Sequence, residues 1–204
     1  MTYYLGMLAM AVFAVTGVVA GGKKDMDIFT IVILGVVTAI GGGTLRDIIL
    51  DVNPIYWIAD LTYLWVATGA SIAAFFLAPQ VNKAFRLLEY SDGLGVAMFS
   101  VLATEKTLLL GFSGPVAVLM GMITGISGGM LRDIMTARMP LLFGRELYAT
   151  PVITGCTFFV LFNGWSGSNE LLQVTAITII FIFRAAAIRW ELYYPGWLTY
   201  PGNS

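Results

Sequence analysis

The sequence predicts an all-α integral membrane protein: seven transmembrane helices, arranged as two inverted three-helix repeats plus a seventh helix. Three observations predict it. The 204 residues are 58% hydrophobic and only 11% charged, and the mean hydropathy of +0.86 lies outside the range of soluble globular chains. Apolar runs long enough to cross a bilayer recur along the whole chain. One stretch, Gly41-Gly42-Gly43-Thr44-Leu45-Arg46-Asp47-Ile48, returns as Gly128-Gly129-Met130-Leu131-Arg132-Asp133-Ile134.

A spanning helix needs about 20 mostly apolar residues. The first run is Tyr3 to Ala20, and a polar loop with Lys23, Lys24, Asp25 and Asp27 follows. It lacks a basic leader, so it is expected to stay as a span rather than be cleaved. The second run is Ile28 to Leu50, interrupted at Gly41–Gly43 and ended by Asp51, Asn53 and Pro54, since proline disfavours helix in the residue before it. The third is Leu61 to Leu77, and a polar connection follows with Pro79, Asn82, Lys83, Arg86 and Glu89. The fourth is Gly93 to Thr104, with Glu105-Lys106 marking its end or last turn. The fifth is Pro115 to Met135, interrupted near Gly128–Gly129, and Pro115 suits a first helical turn. The sixth and seventh are Leu147 to Phe162 and Leu171 to Ala187. The membrane domain of 1–204 thus divides into a first repeat (1–80), a second (91–163), a seventh helix (170–188) and a cytoplasmic or interfacial tail (189–204).

The repeat has a fixed shift of 86 residues. Comparing 35–54 with 121–140, ten of twenty positions are identical, including Gly35/Gly121, Thr38/Thr124, the Leu-Arg-Asp-Ile block and Pro54/Pro140. Three spans per copy is an odd number, so the second copy enters the membrane from the opposite side. Charge sets the orientation. With the N-terminus external, cytoplasmic segments hold seven cations (Lys23, Lys24, Lys83, Arg86, Arg138, Arg145, Arg189) and external segments hold one, Lys106. That bias predicts an external N-terminus and a cytoplasmic C-terminus. Trp57, Trp165 and Trp190 fall near predicted span ends, where interfacial aromatics belong.

The doubled motif carries the candidate chemistry. Glycine runs weaken a helix, and charges at membrane depth face a cavity or a partner. Two broken helices meeting around a polar path would satisfy both. Half-helix carbonyls at Gly41 would suit a cation, and amides at Gly43 would be complemented by Asp47. The same holds for Gly128, Gly129 and Asp133, and Thr38, Thr124 and Ser127 add hydroxyl oxygens. Arg46 and Arg132 lie about 6 Å beyond their glycines, on opposite sides, so each is expected to reach its own vestibule or an acid such as Asp60 or Glu146 rather than the other copy's aspartate. Gly42→Leu is expected to block the path and leave assembly intact, and Gly35→Ala to be mild. The bland alternative is that Gly17, Gly35 and the Gly121, Gly125, Gly129 series are close-packing faces. Arg184 reads as a snorkelling residue, and Asp60 and Glu146 as partners of helix N-termini.

Other chemistry is excluded by composition. A net charge of −1 offers no field for nucleic acid. No histidine is present, and the lone Cys156 lies in an apolar run, so no metal site or cofactor is expected beyond transiently bound permeant cations, and no catalytic residue is assigned.

The doubled Gly-Gly-Gly-Thr-Leu-Arg-Asp and Gly-Gly-Met-Leu-Arg-Asp pattern, with three plus three plus one spans, resembles the prokaryotic TRIC (trimeric intracellular cation) channel family. The resemblance implies a homotrimer in the prokaryotic inner (plasma) membrane. It also implies one pore per protomer, conduction of monovalent cations, chiefly potassium, and glycine-rich kinks lining the pore. Ser127 departs from the pattern where the first copy has Gly41. Bacterial relatives also carry the label of glycine transporter, so the alternative is a secondary transporter for a small solute such as glycine.

Overall fold

The computed structural model describes residues 2–22, 24, 26–77, 84–144, 146–164 and 169–198. Lys23, Asp25, Pro79, Asn82, Lys83, Arg145, Trp165 and the end of the tail (199–204) lie outside the described residues. The described chain is all-helical: α1 (Thr2–Gly21), α2 (Ile28–Ile49), α3 (Tyr56–Ala59), α4 (Thr62–Leu77), α5 (Ala84–Leu109), α6 (Gly114–Met135), α7 (Ala149–Phe162) and α8 (Asn169–Trp190). Four of these, α1, α2, α6 and α8, are long and apolar enough to cross a membrane, while α4 and α7 are shorter apolar helices.

Local chemistry fixes the ends. Asp27 caps α2, its carboxylate accepting the Thr30 amide at 2.9 Å and the Thr30 hydroxyl at 2.8 Å. These two bonds hold its carboxyl below the usual range. Pro115 sits in the first turn of α6, as expected. The ends of α2 and α6 repeat each other. Leu50 N–H donates to the Arg46 carbonyl and Thr136 N–H to the Arg132 carbonyl. The next residues, Asp51 (φ 52°) and Ala137 (φ 50°), are both left-handed. Then Val52 N–H reaches Asp47 O and Arg138 N–H reaches Asp133 O, each at 2.8 Å.

Packing repeats with the same shift. Phe13 of α1 stacks on Phe99 of α5, centroids 5.2 Å apart and 13° from parallel, and the two positions differ by 86. α1, α2, α5 and α6 form the centre, α4 covers α1 and α2, and α7 and α8 cover α5 and α6.

Two expectations are corrected here. The helices are not broken: α2 runs unbroken through Gly41–Gly43 and α6 through Gly128–Gly129. Their backbone bonds stay inside the helix, where lipid requires them, and the glycines serve close approach instead. The fourth helix is also longer than predicted. It starts at Ala84 rather than Gly93, and continues past Glu105-Lys106 to Leu109. Asp92, Glu105 and Lys106 do not end it because each has a partner on another element.

Candidate ion-pathway site

The α2–α6 crossing is a contact of backbone on backbone. A β-carbon at Gly42 would collide with the Thr124 carbonyl, and one at Gly128 would lie 2.6 Å from the Thr38 carbonyl. Residues 42 and 128, and 38 and 124, are equivalent in the repeat. Reciprocal contact of this kind is the signature of a two-fold relation. The flanking glycines are equally committed. A β-carbon at Gly41 would meet the Leu131 side chain at 2.5 Å, one at Gly43 the Tyr56 ring at 2.5 Å, and one at Gly129 the Asp92 carboxylate at 2.9 Å. Gly35 is no freer, facing the Ser71 hydroxyl and, at 3.0 Å, the Ala14 carbonyl. The expected mildness of Gly35→Ala is therefore corrected. So is the expectation that Gly42→Leu leaves assembly intact, since its first side-chain atom already strikes backbone. The hydroxyls bond within their own helices: Thr38 donates to Leu34 O at 2.6 Å, Thr124 to Met120 O at 2.7 Å, and Ser127 to Thr124 O at 3.5 Å.

An ionic cluster sits at each of two sites beyond the crossing. In the first, Asp47 is fully buried and accepts Arg46 Nε at 2.8 Å, Arg46 Nη2 at 2.7 Å and Lys106 Nζ at 2.9 Å, all on Oδ1. Its Oδ2 accepts the Tyr56 amide at 2.9 Å, which pins the start of α3. This cluster opens on a cavity of about 350 Å³ that also touches Gly6, Glu105 and the three rings Tyr3, Tyr56 and Tyr63. The Arg46 and Lys106 side chains are 7% and 30% exposed. Tyr56 packs edge-on against Tyr63 (5.0 Å), and Tyr63 against Tyr3 (5.9 Å). Beside them Glu105 accepts Gln173 Nε2 at 2.5 Å, and Gln173 in turn reaches Thr2 Oγ1 at 3.0 Å, tying α5 to α8 and α1.

The second cluster is closed. Arg132 donates from Nε to Asp133 Oδ1 at 2.9 Å and from Nη1 to Asp92 Oδ1 at 2.7 Å, with the Arg132 and Asp92 side chains 0% exposed. Tyr148 donates to Asp92 Oδ2 at 2.7 Å. Arg184 lies over the Tyr148 ring at 4.5 Å and donates to the Leu147 carbonyl at 2.9 Å and to Glu146 at 3.3 Å. Asp133 Oδ2 accepts the Leu141 amide at 3.2 Å, the counterpart of Asp47 and Tyr56.

Each Arg-Asp pair is thus its own first partner, and Arg46 and Arg132 do not reach Asp60 or Glu146. Asp60 instead accepts Tyr3 Oη at 2.9 Å and the Thr62 amide at 2.9 Å. Arg184 is 2% exposed and bonded inside the fold, so it does not snorkel. Sequence reasoning missed Asp92, Lys106, Glu105, Tyr148 and Gln173. The available signal was charge accounting: two arginines at membrane depth require partners from other helices, and α5 carries the candidate charges.

One family model, described as glycine transporter, matches the chain twice, over residues 3–79 and 89–164. The UPF0126 membrane protein of Vibrio cholerae is 39% identical over 196 residues, 95% of this chain and 81% of that protein. The UPF0126 inner membrane protein YadS of Escherichia coli K12 is 36% identical over 197 residues, 96% of this chain and 95% of that protein. Among solved structures, the TRIC channel orthologue from Rhodobacter sphaeroides matches with a TM-score of 0.90 at 33% identity, over 94% of this chain and 98% of that one. A prokaryotic TRIC channel studied in 0.5 M KCl matches with a TM-score of 0.87 at 26% identity, over 93% of this chain and 96% of that one. With these relatives and its own apolar helices, the chain is a multi-pass inner-membrane protein. The doubled match of the family model, the doubled Arg-Asp clusters and the shared fold lead to one assignment: this chain belongs to the TRIC family.

Proposed function

We propose that the protein is a monovalent cation channel, with a potassium pathway inside each protomer along α2 and α6, assembled as a homotrimer. The observation that carries this reading is the pair of ionic clusters flanking the α2–α6 crossing, the first of them open to a cavity. A buried Arg-Asp pair in the last turn of an apolar helix is costly unless partners or function retain it. Cations would enter past Glu105 and Asp47, pass the crossing near Thr38, Thr124 and Ser127, and leave past Asp133. Gly41, Gly42, Gly43, Gly128 and Gly129 act here as the joint that brings those groups together, with Arg46 and Arg132 holding the aspartates. The likeness to TRIC channels supports cation conduction. The reciprocal contacts support an inverted repeat of three spans each, with α8 as the seventh and the N-terminus external by the lysine and arginine bias.

A second reading, a carrier for a small solute such as glycine, is favoured by one observation. The first cluster is open while the second is sealed, and one-sided access is what a carrier presents in each half of its cycle. Purified protein in a planar bilayer separates the two. Discrete potassium currents of many ions per opening support the channel. Solute uptake with fixed stoichiometry, and no unitary current, supports the carrier and overturns the channel. Mass measurement of the solubilised complex tests the trimer.

A further inference from the structure

α8 ends in a turn that brings the chain back onto the start of α7. Glu191 holds φ 48°, and Leu192 N–H donates to the Ala187 carbonyl at 3.0 Å, the same left-handed stop that closes α2 and α6. The turn presents the Leu192 carbonyl to the segment before α7, where it accepts the Leu147 amide at 3.1 Å. Glu146 and Tyr193 pair as an antiparallel bridge, and the Thr150 and Tyr194 hydroxyls share a hydrogen bond. The residues held in this way line the sealed cluster. Arg184 donates to Glu146 and to the Leu147 carbonyl and lies over the Tyr148 ring, while Tyr148 donates to Asp92. Residues 190–198 therefore form a strap across one wall of that cluster.

The outer side of the strap is aromatic. Trp190 is 68% and Trp197 81% exposed, and Tyr193, Tyr194 and Leu198 are exposed with them. This surface continues one already apolar. On α8, a helix long and apolar enough to span, the exposed Leu171, Val174 and Ile182 share a face with Trp190 by helical spacing. Tryptophan and tyrosine settle at headgroup level, where the ring meets acyl chains and the N–H or O–H meets water. Arg189, also exposed, sits beside Trp190 at that depth. We propose that residues 190–198 are a bilayer-seated strap: Trp190 and Trp197 rest at headgroup level where α8 leaves the membrane, and that seat holds Glu146, Leu147 and Tyr148 on the sealed cluster.

The test uses the full chain, labelled with 5-fluorotryptophan, in phosphatidylcholine nanodiscs. Trp190→Tyr and Trp197→Tyr each remove one fluorine signal and so assign both. A lipid carrying a nitroxide near its headgroup should broaden both signals, and a nitroxide at the acyl-chain end should broaden them less. The hold on the cluster is read by hydrogen exchange. Trp197→Asp should speed exchange of the Leu147 amide about tenfold, because that amide exchanges when the strap lets go of it. Trp197→Tyr, which keeps an interfacial ring, should leave the rate near that of the unaltered protein. Trp197 is mostly exposed, so its replacement removes little packing inside the protein, and a change at Leu147 reports the seat. Trp197→Ser serves if the aspartate variant does not insert. Two results would overturn the proposal. One is no broadening by the headgroup nitroxide: reach by a water-soluble gadolinium chelate would then put the strap in water, and protection from both agents would put it against a second copy or another protein. The other is unchanged Leu147 exchange in a folded Trp197→Asp or Trp197→Ser variant. No current is read, so the channel reading can fail while this one stands.

Discussion

At Arg46–Asp47 the third ionic partner is Lys106, and at Arg132–Asp133 it is Asp92. Both partners come from α5, and their repeat equivalents in α1 are Ala20 and Gly6. Gly6 lines the cavity beside Arg46, at the position where the other copy places the Asp92 carboxylate against Arg132. One side is open because a glycine stands where the other side has an acid. The lesson is that two residues of one helix give two matching Arg-Asp clusters different charge and different access to the cavity.

Breaking the sealed end should cost most. Asp92→Asn leaves a fully buried arginine with one carboxylate instead of two. Removing one partner of a buried pair costs about 3–5 kcal/mol, so a large fall in the melting temperature of the detergent-solubilised protein is expected. Lys106→Gln, 30% exposed and with Arg46 still on Asp47, should lose about 1 kcal/mol or less. Equal losses for the two variants would erase the distinction between the ends.

The crossing comes next. Gly42→Ala and Gly128→Ala should each destabilise by about 1–3 kcal/mol, the usual range for overpacking, and by similar amounts because their contacts are reciprocal. A tolerant Gly128→Ala beside a disruptive Gly42→Ala would show that the two copies do not share the joint equally.

Gly6→Asp should convert the open end toward the closed one. It places a carboxylate beside Arg46 as Asp92 stands beside Arg132. Potassium conductance should fall, with the melting temperature unchanged or raised. Undiminished conductance in a folded variant would detach the cavity from the pathway.

The smallest contrast lies just beyond α2 and α6. Ala137 holds φ 50° with a β-carbon and no polar side chain to soften it, whereas Asp51 holds φ 52° with a residue that tolerates this region. Ala137→Gly should stabilise by about 1 kcal/mol and Asp51→Gly by less, measured as shifts in thermal melting.

The helical class, the shift of 86 and the candidate motif were all readable from residues, because hydropathy and identity act locally along the chain. What the glycines do was not. Gly41–Gly43 weaken a helix in isolation, but α2 stays continuous because α6 presses its own backbone onto Gly42, and that tertiary contact has no local signal. Asp92, Glu105 and Lys106 were hidden for a related reason. A charge at the edge of an apolar run looks like the end of a helix, and only its partners on α2, α6 and α8 reveal that it lies inside the packed bundle. Arg184 was misread in the same way, since burial over Tyr148 depends on how α8 lies against the start of α7.

The backbone contact at Gly42 also has a mechanical consequence. No side chain stands between α2 and α6 there, so no rotamer change can take up relative motion, and the contact works as a fulcrum. From Gly42 the arm to Ile28 is about 21 Å and the arm to Ile49 about 10 Å, at 1.5 Å per residue. From Gly128 the arms to Gly114 and Met135 are again about 21 and 10 Å. A tilt of either helix therefore moves its first residue twice as far as its last, so the Arg46 and Arg132 clusters ride on the short arms and the large excursions fall at Ile28 and Gly114.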